Sequence, residues 1–101
     1  MKAAVKLYFK ENTILRVLFE DGVTKEFDIS SIFNRRPELH VLSDGELFNK
    51  GKLSSSYGIS WNDDLDIAVE YIYENGKTVK SEINYYQYIV GYKVKEARNS
   101  I

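Results

Sequence analysis

Four carboxylates crowd one short stretch of the chain: Asp63, Asp64, Asp66 and Glu70. Side chains so spaced could hold a hard cation such as Mg²⁺ or Ca²⁺, which takes six or more oxygen ligands. The spacing is not that of an EF-hand, because the loop glycine is missing and Glu70 falls too early. Asp63-Asp64 reads instead as a turn, with Asp66 and Glu70 near a helix N-terminus, where negative charge is worth about 0.3–1 kcal/mol. His40 is the one histidine, and Glu38 is near it in sequence, but no nucleophile accompanies them. Ser54-Ser55-Ser56 offers hydroxyls without the strained Gly-x-Ser-x-Gly elbow of the hydrolases. The six glycines are isolated, so no phosphate-binding loop is present. No catalytic, cofactor-binding or metal-binding residue is assigned on these grounds, no small-molecule substrate is evident, and the chain reads as a non-enzyme. An enzyme would need a pocket gathering Asp63, Asp66, His40 or Tyr57.

The residues least explained by folding alone are aromatic. Of eight tyrosines, Tyr85, Tyr86, Tyr88 and Tyr92 fall near the C-terminus, interleaved with Val90 and Val94. Any helix or strand leaves at least one of these rings outside its buried face. With Lys80, Lys93, Lys95 and Arg98 nearby, such rings suit single-stranded nucleic acid, whose bases stack on them. They equally suit protein interfaces, where tyrosine anchors contact. Residues 1–75 hold 9 Lys and Arg against 13 Asp and Glu, a net of −4, and residues 76–101 hold 5 against 2, a net of +3. Because the whole chain carries a net charge of −1, a protein partner or a homodimer is expected, and nucleic acid is the lesser reading.

Length and composition bound the rest. A chain of 101 residues with 44% hydrophobic and 29% charged residues is expected to be one domain with a single core. Cysteine is absent, which excludes disulfides, thiolate metal sites and cysteine nucleophiles, and suits a reducing compartment. No apolar run has the length of a signal peptide or of a membrane span, so the expected location is cytoplasmic.

The elements that would position these residues follow from periodicity. Ala3 to Phe9 alternates, with Ala3, Val5, Leu7 and Phe9 on one face and Lys6 and Tyr8 on the other. Glu11-Asn12 is a turn, and Ile14 to Phe19 reads as the central strand by its apolar content. Asp21-Gly22 between apolar runs predicts a two-residue type I′ hairpin with positive φ at Gly22. Val23 to Phe27 follows as a third strand, with Val23, Lys25 and Phe27 opposite in facing to Thr24 and Glu26. Asp28 or Ser30 would cap a short helix through Phe33, which Arg36-Pro37 stops. Ser43 or Asp44 would cap a second, burying Leu47 and Phe48 and ending near Gly51. Lys52 to Ser55 and Tyr57 to Trp61 read as a hairpin, Asn62-Asp63-Asp64 as a turn, and Ala68 to Glu74 as a helix ended by Asn75-Gly76. In the last segment, Ile83, Tyr86, Val90, Val94, Ala97 and Ile101 recur at helical intervals, while Tyr86 to Val94 also alternates like a strand. Helix is the preferred reading there. The expected core is Val5, Leu7, Leu15, Val17, Phe19, Phe27, Ile29, Phe33, Leu42, Leu47, Phe48, Ile59, Trp61 and Ile72, with the Trp61 indole N–H bonded to a backbone carbonyl.

The order and spacing of certain residues resemble a bacterial domain-of-unknown-function family, number 2442. The features are Phe19-Glu20-Asp21-Gly22, then Asp28, then Leu42-Ser43-Asp44 with Phe48, then Ile59-Ser60-Trp61, Asp66-Ile67 and Ile72-Tyr73. Asn62 and Asp64 stand where that family usually has Pro and Gly. The resemblance covers roughly residues 5 to 75 and implies a small α+β domain without established activity. Some relatives are fused to a helix-turn-helix module or encoded beside small partner proteins, which hints at regulation by binding. The expected fold class is therefore α+β: an antiparallel three-stranded meander plus a short hairpin, with short helices and a C-terminal helical or strand segment. Residues 1–75 form the family-like domain, and residues 76–101 a Tyr-rich extension packed on it or on a partner. The expected function is a binding module for protein or self-association, with a transcription-associated or antitoxin-like regulator touching nucleic acid as the alternative.

Overall fold

The computed structural model describes residues 2–80. The Tyr-rich surface of Tyr85, Tyr86, Tyr88, Val90, Tyr92 and Val94, and the choice between helix and strand there, lie outside the described residues. In chain order the elements are β1 (Ala4–Lys10), β2 (Ile14–Phe19), β3 (Thr24–Asp28), two 3₁₀ segments (Ile29–Ile32 and Pro37–Ser43), α1 (Gly45–Phe48), β4 (Lys52–Ser55), β5 (Gly58–Asn62), β6 (Leu65–Ala68), α2 (Val69–Asn75) and β7 (Lys77–Val79). They make two antiparallel sheets, β1-β2-β3-β7 and β4-β5-β6. The fold is α+β as the sequence predicts, but each sheet has one strand more than expected.

Both extra strands are short and were hidden by their neighbours. Leu65–Ala68 reads as helix approach because Ala68 starts the helical spacing. In the structure Ala68 is the N-cap, still extended at φ −73°, ψ 135°, and Ile67 pairs across from Ile59. Lys77–Val79 lies past Asn75, in the segment read as ambiguous with a lean to helix. These three residues are strand, pairing Thr24 with Val79 and Glu26 with Lys77. Pro37 also does more than stop a helix: it occupies the first turn of the second 3₁₀ segment, where its missing N–H costs nothing.

Two of the predicted turns are built differently from expectation. Gly22 has φ 87°, as expected, but the loop has three residues. The Gly22 N–H donates to the Phe19 carbonyl at 3.0 Å and the Phe19 N–H to the Val23 carbonyl at 2.9 Å, with no positive φ at Asp21. That is a type I turn closed by a left-handed glycine rather than a type I′ turn. At the first hairpin, positive φ falls on Asn12 and Thr13, 61° and 65°. Thr13 is β-branched and resists that conformation. It is held by its hydroxyl donating to Asp28 Oδ1 at 2.8 Å and by its carbonyl accepting from the Ile29 N–H at 3.0 Å.

The core lies between the sheets and under α2. Leu15, Val17, Phe19, Phe27, Ile29, Leu42, Phe48, Ile59 and Ile72 are buried as expected, joined by Ala4, Ile32, Leu39, Leu65, Ile67 and Val69. Val5 is not among them. A bulge between Ala4 and Lys6 reverses the alternation, so Ala4 faces inward with Leu7 and Phe9, and Val5 is only half-buried. Leu7, Phe33, Leu47 and Trp61 are half-buried against the core's rim.

Trp61 Nε1 donates to the Phe48 carbonyl at 2.8 Å. Its ring stacks near Phe48, centroids 6.3 Å apart, with Phe9 edge-on to both. Gly51 completes the joint: a Cβ there would come 2.6 Å from Trp61 Nε1 and 2.8 Å from the Phe9 ring. Trp61→Ala is expected to cost about 3 kcal/mol, the lower end for a half-buried tryptophan. That corresponds to a fall in Tm of roughly 12 °C or more by calorimetry. Gly22→Val should cost about 1–2 kcal/mol, the penalty of a branched side chain in the left-handed region, measured by urea unfolding with unchanged slope.

Candidate functional site

The four carboxylates do not come together as a ligand set. Asp63, Asp64 and Asp66 are exposed and Glu70 is half-buried. Asp63 and Asp64 form the turn between β5 and β6, with the Asp64 N–H donating to Asn62 Oδ1 at 2.9 Å. Among the described residues no group of three His, Asp or Glu side chains is gathered as a metal site. His40 is exposed with its ring 5.2 Å from that of Phe33. Ser54, Ser55, Ser56 and Tyr57 are also exposed, and Ser55 Oγ accepts from the Tyr57 N–H at 3.0 Å. Ser54 and Ser55 end β4, and Ser56 lies in the turn to β5.

A different set of residues surrounds a cavity. The space measures about 300 Å³ and is lined by Ile32, Arg35, Arg36, Ile67, Ala68 and Tyr71. Asp63, Asp66, His40 and Tyr57 are not among these lining residues. Local structure explains how the six converge. Asp28 caps the first 3₁₀ segment, accepting from the Ser30 N–H at 3.0 Å and the Ser30 hydroxyl at 2.8 Å. That segment turns Ile32 into the core and releases Arg35 and Arg36 at its end, where their N–H groups donate to the Ile32 carbonyl at 3.1 and 2.8 Å. β6 brings Ile67 and Ala68, and the first turns of α2 bring Tyr71. Arg35 Nη2 donates to the Tyr71 hydroxyl at 2.6 Å, and the Tyr71 ring is edge-on to Phe27 at 5.5 Å. Arg36 Nε is already engaged by Glu38 Oε1 at 2.8 Å, which holds the Glu38 carboxyl below its usual range.

A second surface is defined by the register of the four-stranded sheet. On the face turned away from the core, Lys6, Leu18, Thr24 and Val79 stand directly opposite one another, one from each strand. Beside them runs a polar row, Tyr8, Arg16, Glu26 and Lys77. Leu18 is only 1% exposed and Thr24 2%, yet Leu18 is outside the main core cluster. Thr24 Oγ1 is buried without a hydrogen-bond partner. The polar row is tied by Glu26, which accepts from Arg16 Nε at 2.9 Å and from Lys10 Nζ at 3.4 Å. The hydrogen bond from Arg16, opposed by partial burial, holds the Glu26 carboxyl below its ordinary 4.5.

Sequence reasoning did not single out Arg35, Arg36 or Tyr71 as site residues. The only sequence signal was an Arg pair placed immediately before the one proline, where the chain must turn at the end of a capped segment.

Two antiparallel sheets sharing one core, with short capped helical segments between them, define a small α+β domain. The chain belongs to the DUF2442 family, described as proteins of unknown function, which matches residues 4–78, from β1 into β7. No curated protein and no solved structure matches it. Among the described residues no helix is long and apolar enough to cross a membrane.

Glu26 supplies a pH test of the polar row. A carboxyl depressed on folding stabilises the fold above its ordinary pKa and loses that contribution as pH falls through the depressed value. Glu26→Gln should therefore lower Tm at neutral pH, with the gap from the parent closing below about pH 4.5. A gap constant down to pH 3 would show that the Arg16 pairing contributes nothing.

Proposed function

We propose that this chain is a non-enzymatic binding module acting through protein contact, with its contacts made by the Tyr-rich extension. The supporting observation is the row Lys6, Leu18, Thr24 and Val79. Its Leu18 and Thr24 are buried apart from the main core, and Val79 ends the one strand that the extension contributes among the described residues. An apolar row on a sheet face is ordinarily buried by packing another element on it. Residues 81–101 are the chain's remaining apolar material: Ile83, Ile89, Val90 and Val94 are each worth about 1.5–3 kcal/mol if buried.

Any helix or strand over that stretch leaves at least one of Tyr85, Tyr86, Tyr88 and Tyr92 outside its buried face. A ring so placed suits a protein contact, and a second copy is the simplest partner, two-fold dimers being the commonest assembly. The outer face favours protein over nucleic acid, because Arg16 and Lys10 share Glu26 rather than forming a basic track.

Light scattering coupled to size exclusion tests the reading on the full-length chain. A dimer is expected at high micromolar concentration, reverting to monomer in the double variant Tyr85→Ser, Tyr88→Ser with Tm little changed. A full-length protein that stays monomeric would sink self-association.

A further inference from the structure

The cavity bounded by Arg35 and Tyr71 is unrelated to the outer face, being built from the opposite side of the core. Its floor is Ile32 and Ile67, which belong to the main core cluster. Ala68 and Tyr71 make its walls. One polar feature is unlike the rest. Arg36 is paired with Glu38, but among the described residues the Arg35 guanidinium has no carboxylate partner, only the neutral Tyr71 hydroxyl. A cation fixed at one edge of an apolar hollow selects for a ligand with an anionic head and an apolar body. Guanidinium favours carboxylate, which accepts two parallel N–H bonds from its fork. Tyr71 reinforces the choice: its oxygen accepts from Arg35, so its own proton is free to donate to a second oxygen of the ligand.

Size narrows the class. A space of about 300 Å³ is at the lower end of the range for ligand pockets, which limits the occupant to a small molecule.

We infer that this pocket binds a small free monocarboxylic acid, its aromatic or branched apolar body lying on Ile32, Ile67 and Ala68 and its carboxylate on Arg35 and the Tyr71 hydroxyl. The pocket is a ligand-responsive element of the domain, separate from the protein-contact surface.

The probe is 3-phenylpropanoate, with 3-phenylpropanamide as its uncharged isostere, titrated into ¹⁵N-labelled full-length protein. Saturable shifts are expected at the amides of Ile32, Ile67, Ala68 and Tyr71. The amide probe should bind at least about tenfold more weakly, the difference expected when a charge-assisted hydrogen bond is lost. Arg35→Gln should weaken the carboxylate to the level of the amide while leaving the rest of the spectrum in place. Ala68→Leu, which fills the hollow and keeps the guanidinium, should weaken both probes. Equal affinity for acid and amide would overturn the carboxylate assignment. Shifts elsewhere, or none at those four residues at millimolar probe, would overturn the site. Oligomeric state is a separate readout, so a failure here leaves the self-association result standing, and the reverse.

Discussion

The hydrogen bond from the Trp61 indole to the Phe48 carbonyl is the joint on which the two sheets depend. Phe48 ends α1, a helix of a single turn that leaves its last carbonyls without partners inside the helix. The Trp61 N–H satisfies one of them from β5, and Gly51 makes room for the ring by having no side chain. Phe9 on β1 closes the cluster edge-on. The cluster of Phe9, Phe48 and Trp61 thus connects the first sheet, the helical link and the second sheet. At the far end α2 makes the matching joint: Tyr73 packs edge-on to Phe19 and its hydroxyl donates to Asp21 Oδ2 at 2.6 Å. Burial pushes the Asp21 carboxyl up, but the Tyr73, Val23 and Lys2 contacts outweigh it and leave the group below its ordinary 3.8.

Local chemistry made much of this fold readable. β2 has the predicted bounds. Asp28 and Asp44 are caps, each accepting from an N–H two residues on, which short side chains with one acceptor can do wherever the chain starts to coil. Gly22 is left-handed, and Trp61 finds a backbone carbonyl. What failed to read was either non-local or decided by one residue. The bulge at Val5 changes the facing of Ala4 without altering composition, so alternation alone could not show it. β6 and β7 have four and three residues, too few for a period of two to declare itself, and each exists because a neighbouring strand offers an open edge.

Arg35 and Tyr71 were illegible for a stronger reason. They are 36 residues apart, on a 3₁₀ exit and a helix, and neither carries a motif. Their meeting depends on β6 crossing beneath them, itself one of the unread strands. By contrast the carboxylates that look most like chemistry are adjacent in sequence because turns favour short polar side chains, and adjacency of that sort points side chains outward.

The weakest link in the sheet is also the path to the extension. β7 is three residues long and is held by its pairing to β3, by Lys25 Nζ donating to the Thr78 hydroxyl at 2.7 Å and by Gly76. A Cβ at Gly76 would come 2.6 Å from the Ile72 carbonyl and 2.9 Å from that of Glu26, so α2 and β3 pinch the chain as β7 begins. A short edge strand pinned at one end opens easily at the other. Val79 stands at that other end, opposite Thr24 and in line with Leu18. The outer row and the last strand are therefore joined through the pairing of Thr24 with Val79.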